Sequence, residues 1–273
     1  MILLASPAPG RHTMRHMKSI IAGLGILAIG IGLGAERLAA AATNTAASAA
    51  ARESAVAPAA RTGTAYQRYL LLKERVGQQR GQVDLVFLGD SITQGWEGAG
   101  KEVWQKYYGQ RRALNLGIGG DRTQHVLWRL DNGHLEGIHP KAVVLMIGTN
   151  NSGDDRNTAE EMVAGVRAVV DKLRQMRPQA RILLLGIFPR GAEFNAQRGK
   201  IAQVNQVLAQ LDDGRAVTYL DIASRFLEPD GRISKEVMPD FLHLTARGYE
   251  RWAEAIEPAL ARLLAESGAG SGR

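Results

Sequence analysis

The chain has 273 residues, 45% of them hydrophobic, with a formal charge of +7 and no cysteine. The missing cysteines exclude a disulfide framework, a thiolate nucleophile and a cysteine-based metal site. The charge does not mark a nucleic-acid partner. Residues 1–62 hold six Lys/Arg against two acids, +4, whereas the other 211 residues hold 28 basic and 25 acidic side chains, only +3.

Taken in chain order, residues 1–42 read as an export signal, which predicts a periplasmic or secreted protein. Arg11, Arg15 and Lys18 precede an uncharged run over residues 19–35 rich in Ile, Leu and Gly, and Leu38 leads into small residues suited to cleavage. Met14 and Met17 are alternative starts. The rival reading is an uncleaved membrane anchor, which is the one route to a membrane partner. Against it, the run contains five glycines and sits at the lower limit of the roughly 17 to 25 residues needed to span a bilayer. Residues 43–63 are predicted as a disordered spacer, with nine alanines in residues 43–62 and no apolar periodicity. Residues 64–266 then read as one globular domain and 267–273 as a flexible tail.

Within the domain, short apolar runs alternate with helical periodicities. Strands are predicted at 83–88, 113–116, 143–147, 182–187 and 217–220, the third almost wholly apolar, as a strand covered on both faces should be. Thr158 and Glu161 form a capping box ahead of a stripe of Met162, Val163, Val166, Val169, Val170, Leu173 and Met176, and Pro178 ends that helix. A last helix follows Thr245, with Trp252, Ile256, Leu260 and Leu263 on one side. Five strands alternating with helices predict an α/β domain, a parallel sheet with helices on both faces. Ligand sites in such sheets gather at the carboxyl ends of the strands.

Four segments fall at those ends or in the loop before the last helix. Ser91 follows the first strand through Gly89-Asp90, at a turn that exposes a hydroxyl; an isolated serine there would equally serve as a helix N-cap. It is not the Gly-x-Ser-x-Gly elbow of α/β-hydrolases, because Thr93 stands where the second glycine should be. Gly117-Ile118-Gly119-Gly120-Asp121 follows the second strand and suits an oxyanion donor or a plain tight turn; it lacks the Lys-Ser/Thr ending of a phosphate loop. Asn150 follows the third strand, and its side-chain amide is a donor for a developing oxyanion, with Asn151 the adjacent competitor. His243 has Asp240 at i−3 in a short loop, where the acid accepts from the ring Nδ1–H and fixes the tautomer. Asp221, at the end of the fifth strand, is the competing acid. His125, His134 and His139 show no metal-ligand pattern. Trp96, Trp104 and Trp128 read as packing residues in preference to sugar-stacking ones, and Arg190 as either a substrate contact or a salt-bridged surface residue.

Together these segments resemble four conserved blocks of the SGNH/GDSL hydrolase superfamily. Residues 113–130 (ALNLGIGGDRTQHVLWRL), Asp131-Asn132-Gly133, residues 144–151, Phe188-Pro189-Arg190-Gly191 and residues 240–248 closely resemble one branch, the catalytic subunits of type I platelet-activating factor acetylhydrolase. The resemblance covers about residues 65–265. It implies a flavodoxin-like three-layer α/β/α sandwich, no cofactor, and a serine esterase that releases short acyl groups, acetyl above all, through an acyl-enzyme. It makes Ser91 the nucleophile, His243 the general base and Asp240 its orienting acid, with the Ser91 and Gly120 N–H groups and the Asn150 amide as oxyanion donors. Gly120 is chosen over Gly119 from the same resemblance. Those subunits dimerise, so a homodimer is carried over as an expectation. They are cytosolic, and this chain's leader departs from them, so its ester is expected on a carbohydrate or a lipid outside the cytosol. The competing class is a non-catalytic binding or scaffold protein on the same fold.

Overall fold

The computed structural model describes residues 54–269, with side chains up to residue 266. The predicted export signal, the first part of the predicted spacer and the end of the predicted tail lie outside the described residues. Among the described residues, no helix is long and apolar enough to cross a membrane.

Strands β1 (Leu85–Gly89), β2 (Ala113–Gly117), β3 (Ala142–Met146), β4 (Arg181–Leu185) and β5 (Val217–Leu220) make one parallel sheet in the order β2-β1-β3-β4-β5. The helices are α1 (Gly63–Gln78), α2 (Ser91–Gln94), α3 (Lys101–Tyr108), α4 (Thr123–Asp131), α5 (Ala159–Met176), α6 (Ala196–Leu208) and α7 (Ala246–Ala269). Strand order reverses beside β1, which opens a crevice between the carboxyl ends of β1 and β3.

The strands are short and apolar because both faces are covered. Side-chain alternation sends Val86, Leu88, Val143, Leu145, Ile182 and Leu184 to one core, shared with α1, α4, α5 and α6. Leu85, Phe87, Val144, Met146, Leu183 and Leu185 go to the other, shared with α2, α3 and α7. The result is the three-layer α/β/α arrangement with helices on both faces.

Local signals act as read. Thr158 caps α5: Glu161 N–H donates to Thr158 Oγ1 at 3.2 Å and Thr158 N–H to Glu161 Oε2 at 2.9 Å. The α5 stripe is buried at Met162, Val166, Val169, Val170 and Leu173, with Val163 and Met176 partly covered. Trp252, Ile256, Leu260 and Leu263 of α7 are buried.

Two boundaries differ. The α7 backbone runs through residue 269, so residues 267–269 of the predicted tail are helical. Residues 54–62 of the predicted spacer lie along α4. Ala55 is buried, its carbonyl accepting from Thr123 Oγ1 at 2.7 Å, and Ala59 N–H donates to the Gln124 carbonyl at 3.1 Å. Small side chains let this backbone approach closely, and the buried Thr123 hydroxyl needs an acceptor.

Candidate active site

Ser91 is the first residue of α2. Asp90 caps that helix, its Oδ1 accepting from Ile92 N–H at 3.0 Å, which leaves the Ser91 N–H among the groups a helix start does not satisfy internally. The turn is tight. A Cβ on Gly89 would collide with Thr93 Oγ1 and the Met146 carbonyl. Asn115 on β2 donates to the Thr93 carbonyl at 3.0 Å, and Tyr249 of α7 donates its hydroxyl to the Ile92 carbonyl at 2.7 Å.

The glycine loop lies against this turn. A Cβ built on Gly119 would sit 3.8 Å from Ser91 Cβ. The Gly119 N–H is already used, donating to Gln94 Oε1 at 2.8 Å. Gly120 takes φ +75°, a conformation that glycine adopts without penalty. Asn150, in the 3-10 turn after β3, donates one amide hydrogen to the Asp121 carbonyl at 2.9 Å, and that bond turns the amide toward the same loop.

His243 approaches from the loop before α7. Its Nε2 lies 2.9 Å from Ser91 Oγ, and its Nδ1 lies 2.6 Å from Asp240 Oδ2. The other carboxylate oxygen, Oδ1, accepts the Leu242 N–H at 3.1 Å and the His243 N–H at 2.7 Å. One oxygen closes the turn while the other holds the ring. Phe241, between them, sits at φ +59°, a left-handed conformation that costs a non-glycine residue roughly 1–2 kcal/mol. Burial pushes the Asp240 carboxyl up, but the bonds from the His243 ring and backbone outweigh it and hold the group below the usual range. An ionised Asp240 accepts only, so Nδ1 carries the proton and Nε2 faces Ser91 Oγ as an acceptor.

A buried cation ties the pieces together from below. Arg129 donates to the Gly89 carbonyl at 2.8 Å, the Leu116 carbonyl at 2.7 Å, Asp121 Oδ2 at 2.8 Å and His134 Nδ1 at 2.8 Å. It thus joins the end of β1, the end of β2 and the glycine loop. Burial and the neighbouring Arg129 charge keep His134 neutral. Asp90 is also fully buried, and desolvation pushes its carboxyl up to about 7.

The competing residues are otherwise engaged. Asn151 is buried and bonded to Thr123 N–H, Gln124 Oε1 and Asn157 Oδ1. Asp221 accepts the Ala223 N–H beyond β5. Trp96 packs among Phe87, Tyr108, Tyr249 and Trp252, with Trp104 against the same group and Trp128 against Tyr66 and Tyr69. Arg190 is half-buried and makes no ion pair among the described residues; it donates to Thr149 O and Oγ1, each at 3.3 Å. Sequence reasoning missed Gln94 and Arg129. Gln94 carries no motif signal. Arg129, inside an apolar helical stretch, was legible only as a charge on a face that has to be buried.

Residues 87–251 match the GDSL-like Lipase/Acylhydrolase family. The chain is 44% identical over 185 residues, 67% of its length and 79% of the other's, to platelet-activating factor acetylhydrolase IB subunit alpha2 of Rattus norvegicus. In fold it matches a GDSL-like lipase of Bacteroides thetaiotaomicron at TM-score 0.58 and 19% identity, over 72% of this chain and 97% of that one. It also matches a catalytic mutant of an acetylxylan esterase from Geobacillus stearothermophilus at TM-score 0.50 and 21% identity, over 67% and 94%. The chain belongs to the GDSL-like lipase/acylhydrolase family and is a carboxylic ester hydrolase.

Proposed function

We propose that the protein is an exported serine esterase that releases short acyl groups, acetyl above all, from a carbohydrate or lipid ester through an acyl-enzyme. The observation that carries this is the continuous chain Ser91 Oγ–His243 Nε2 at 2.9 Å and His243 Nδ1–Asp240 Oδ2 at 2.6 Å. His243 Nε2 takes the Ser91 proton as Oγ attacks the ester carbonyl. The developing oxyanion is held by the Ser91 and Gly120 N–H groups and by the second Asn150 amide hydrogen. His243 then gives the proton to the leaving alcohol, and a water activated by the same ring releases the acyl group from Ser91. Asp240 remains ionised throughout and stabilises the imidazolium.

Export rests on residues 1–42 and the acyl preference on the family likeness. The test is release of p-nitrophenol from its acetate ester, with intact-mass analysis of the quenched enzyme. Wild type turns over and carries one acetyl on Ser91; Ser91→Ala falls by about 10⁴-fold or more and carries none. Equal rates for the two proteins overturn the reading. An N-terminal sequence that begins ahead of Leu38 would remove the cleaved signal and leave the membrane anchor, and recovery of that uncleaved protein in the cytosol would remove the export claim.

A further inference from the structure

The glycine loop is a four-residue turn anchored at both ends. Ile118 N–H donates to the Gly89 carbonyl at 3.2 Å, and Asp121 N–H closes the turn on the Ile118 carbonyl at 3.2 Å. The Asp121 carbonyl in turn accepts from the Asn150 amide at 2.9 Å. Gly119 and Gly120 are the two central residues. Of these only Gly120 has a positive φ, +75°, which makes the turn type II. A type I turn differs by rotation of the central peptide, the Gly119–Gly120 unit, through roughly 160°. The N–H of that peptide is the Gly120 N–H, and in type I the Gly119 carbonyl would take its side of the loop.

Two glycines at the centre admit both forms, because glycine takes φ of either sign about equally. The choice therefore falls to what holds the turn from outside. Among the described residues the Gly120 N–H makes no hydrogen bond, and the one bond made by either glycine runs from Gly119 N–H to Gln94 Oε1 at 2.8 Å. That bond ties down the residue from which the rotating peptide departs. Gln94 is itself well fixed. It ends α2, its N–H donates to the Asp90 carbonyl at 2.8 Å, and a Cβ on Gly117 would lie 2.2 Å from its backbone nitrogen. One side chain thus couples the helix that carries Ser91 to the turn that carries Gly120.

We propose that Gln94 is a positioning residue, which holds the Gly119–Gly120 turn in the form that offers the Gly120 N–H to the ester. The proposal rests on the reading of Gly120 as an oxyanion donor given above. Gln94 touches no reacting atom and acts only through Gly119.

Gln94→Met keeps the length of the side chain and removes the strong acceptor; the residue is partly exposed, so the change opens no core. With p-nitrophenyl acetate, kcat should fall by about 10- to 100-fold and KM stay within about twofold, short of the 10²–10³-fold that loss of a whole donor costs. A trifluoromethyl ketone, which forms a tetrahedral adduct with the serine, should bind more weakly by a similar factor. Unchanged kcat and ketone affinity overturn the proposal, as does a loss carried by KM alone. Amide NMR in a Ser91→Ala background reads the turn without turnover. Gly120 should give one sharp signal there, a doubled or exchange-broadened one when Gln94→Met is added, and a single signal again with Gln94→Glu, which restores an acceptor. A Gly120 signal that stays single with Gln94→Met overturns the positioning role whatever the kinetics. A signal that doubles while kcat holds would instead strike the reading of Gly120 as a donor, and the proposal with it.

Discussion

Ser91 and the glycine loop are held by a buried network, whereas His243 and Asp240, 45% and 53% exposed, are held by a turn of four residues. The first arrangement recruits carbonyls and side chains from β1, β2, α4 and the loop after α4, all meeting at Arg129. The second is almost self-contained: both oxygens of Asp240 are spent within three residues of it. Damage to the buried half should therefore appear first as lost stability, and damage to the exposed half as lost turnover in a folded protein.

Asp240→Asn is the sharpest probe of that contrast. The amide keeps an oxygen for the turn but no longer fixes the His243 tautomer, so kcat should fall by about 10³–10⁴-fold. Chemical denaturation should show a change in stability within about 1 kcal/mol. Arg129→Met should do the reverse. It leaves Asp121 buried without its main cation and should cost about 3–5 kcal/mol in denaturant unfolding. A stable Arg129→Met protein, or an unstable Asp240→Asn one, would break the comparison.

Asn150→Ala lies between the two halves. Steady-state kinetics should show kcat reduced by about 10²–10³-fold with KM little changed, the signature of a donor used only in the transition state. The last expected effect is a slope, modest over any single pH unit. Burial raises the Asp90 carboxyl from 3.8 to about 7, so across that window the folded protein keeps a proton that the unfolded chain has already released. Stability should accordingly fall as pH rises from about 4 to 7, by up to about 1.4 kcal/mol per pH unit. Asp90→Asn should flatten that decline in unfolding curves measured at several pH values.

The same division governs what the sequence made legible. Asp240 and His243 are three residues apart, so their pairing could be read from the spacing alone. The strands and the α5 and α7 stripes were legible because burial on a fixed period leaves a pattern. Arg129 was not: its partners come from Gly89, Leu116, Asp121 and His134, brought together only by the order of strands in the sheet. The bond from the Gly119 N–H to Gln94, 25 residues away, could not be read from residue type either. Residues 54–62 looked like spacer because alanines carry no periodic signal; their attachment runs through backbone groups, which no composition reveals.

The bond between Ser91 and His243 spans 152 residues of chain. Contacts of that separation are closed late, after local structure has formed and the ordering cost of the intervening loop has been met. A chain emerging from its N-terminus can pair β1 with β2 and β3 and bury most of its sheet before His243 is available to reach Ser91. If Ser91 and His243 act as proposed, recovery of hydrolysis during refolding should trail the return of the sheet.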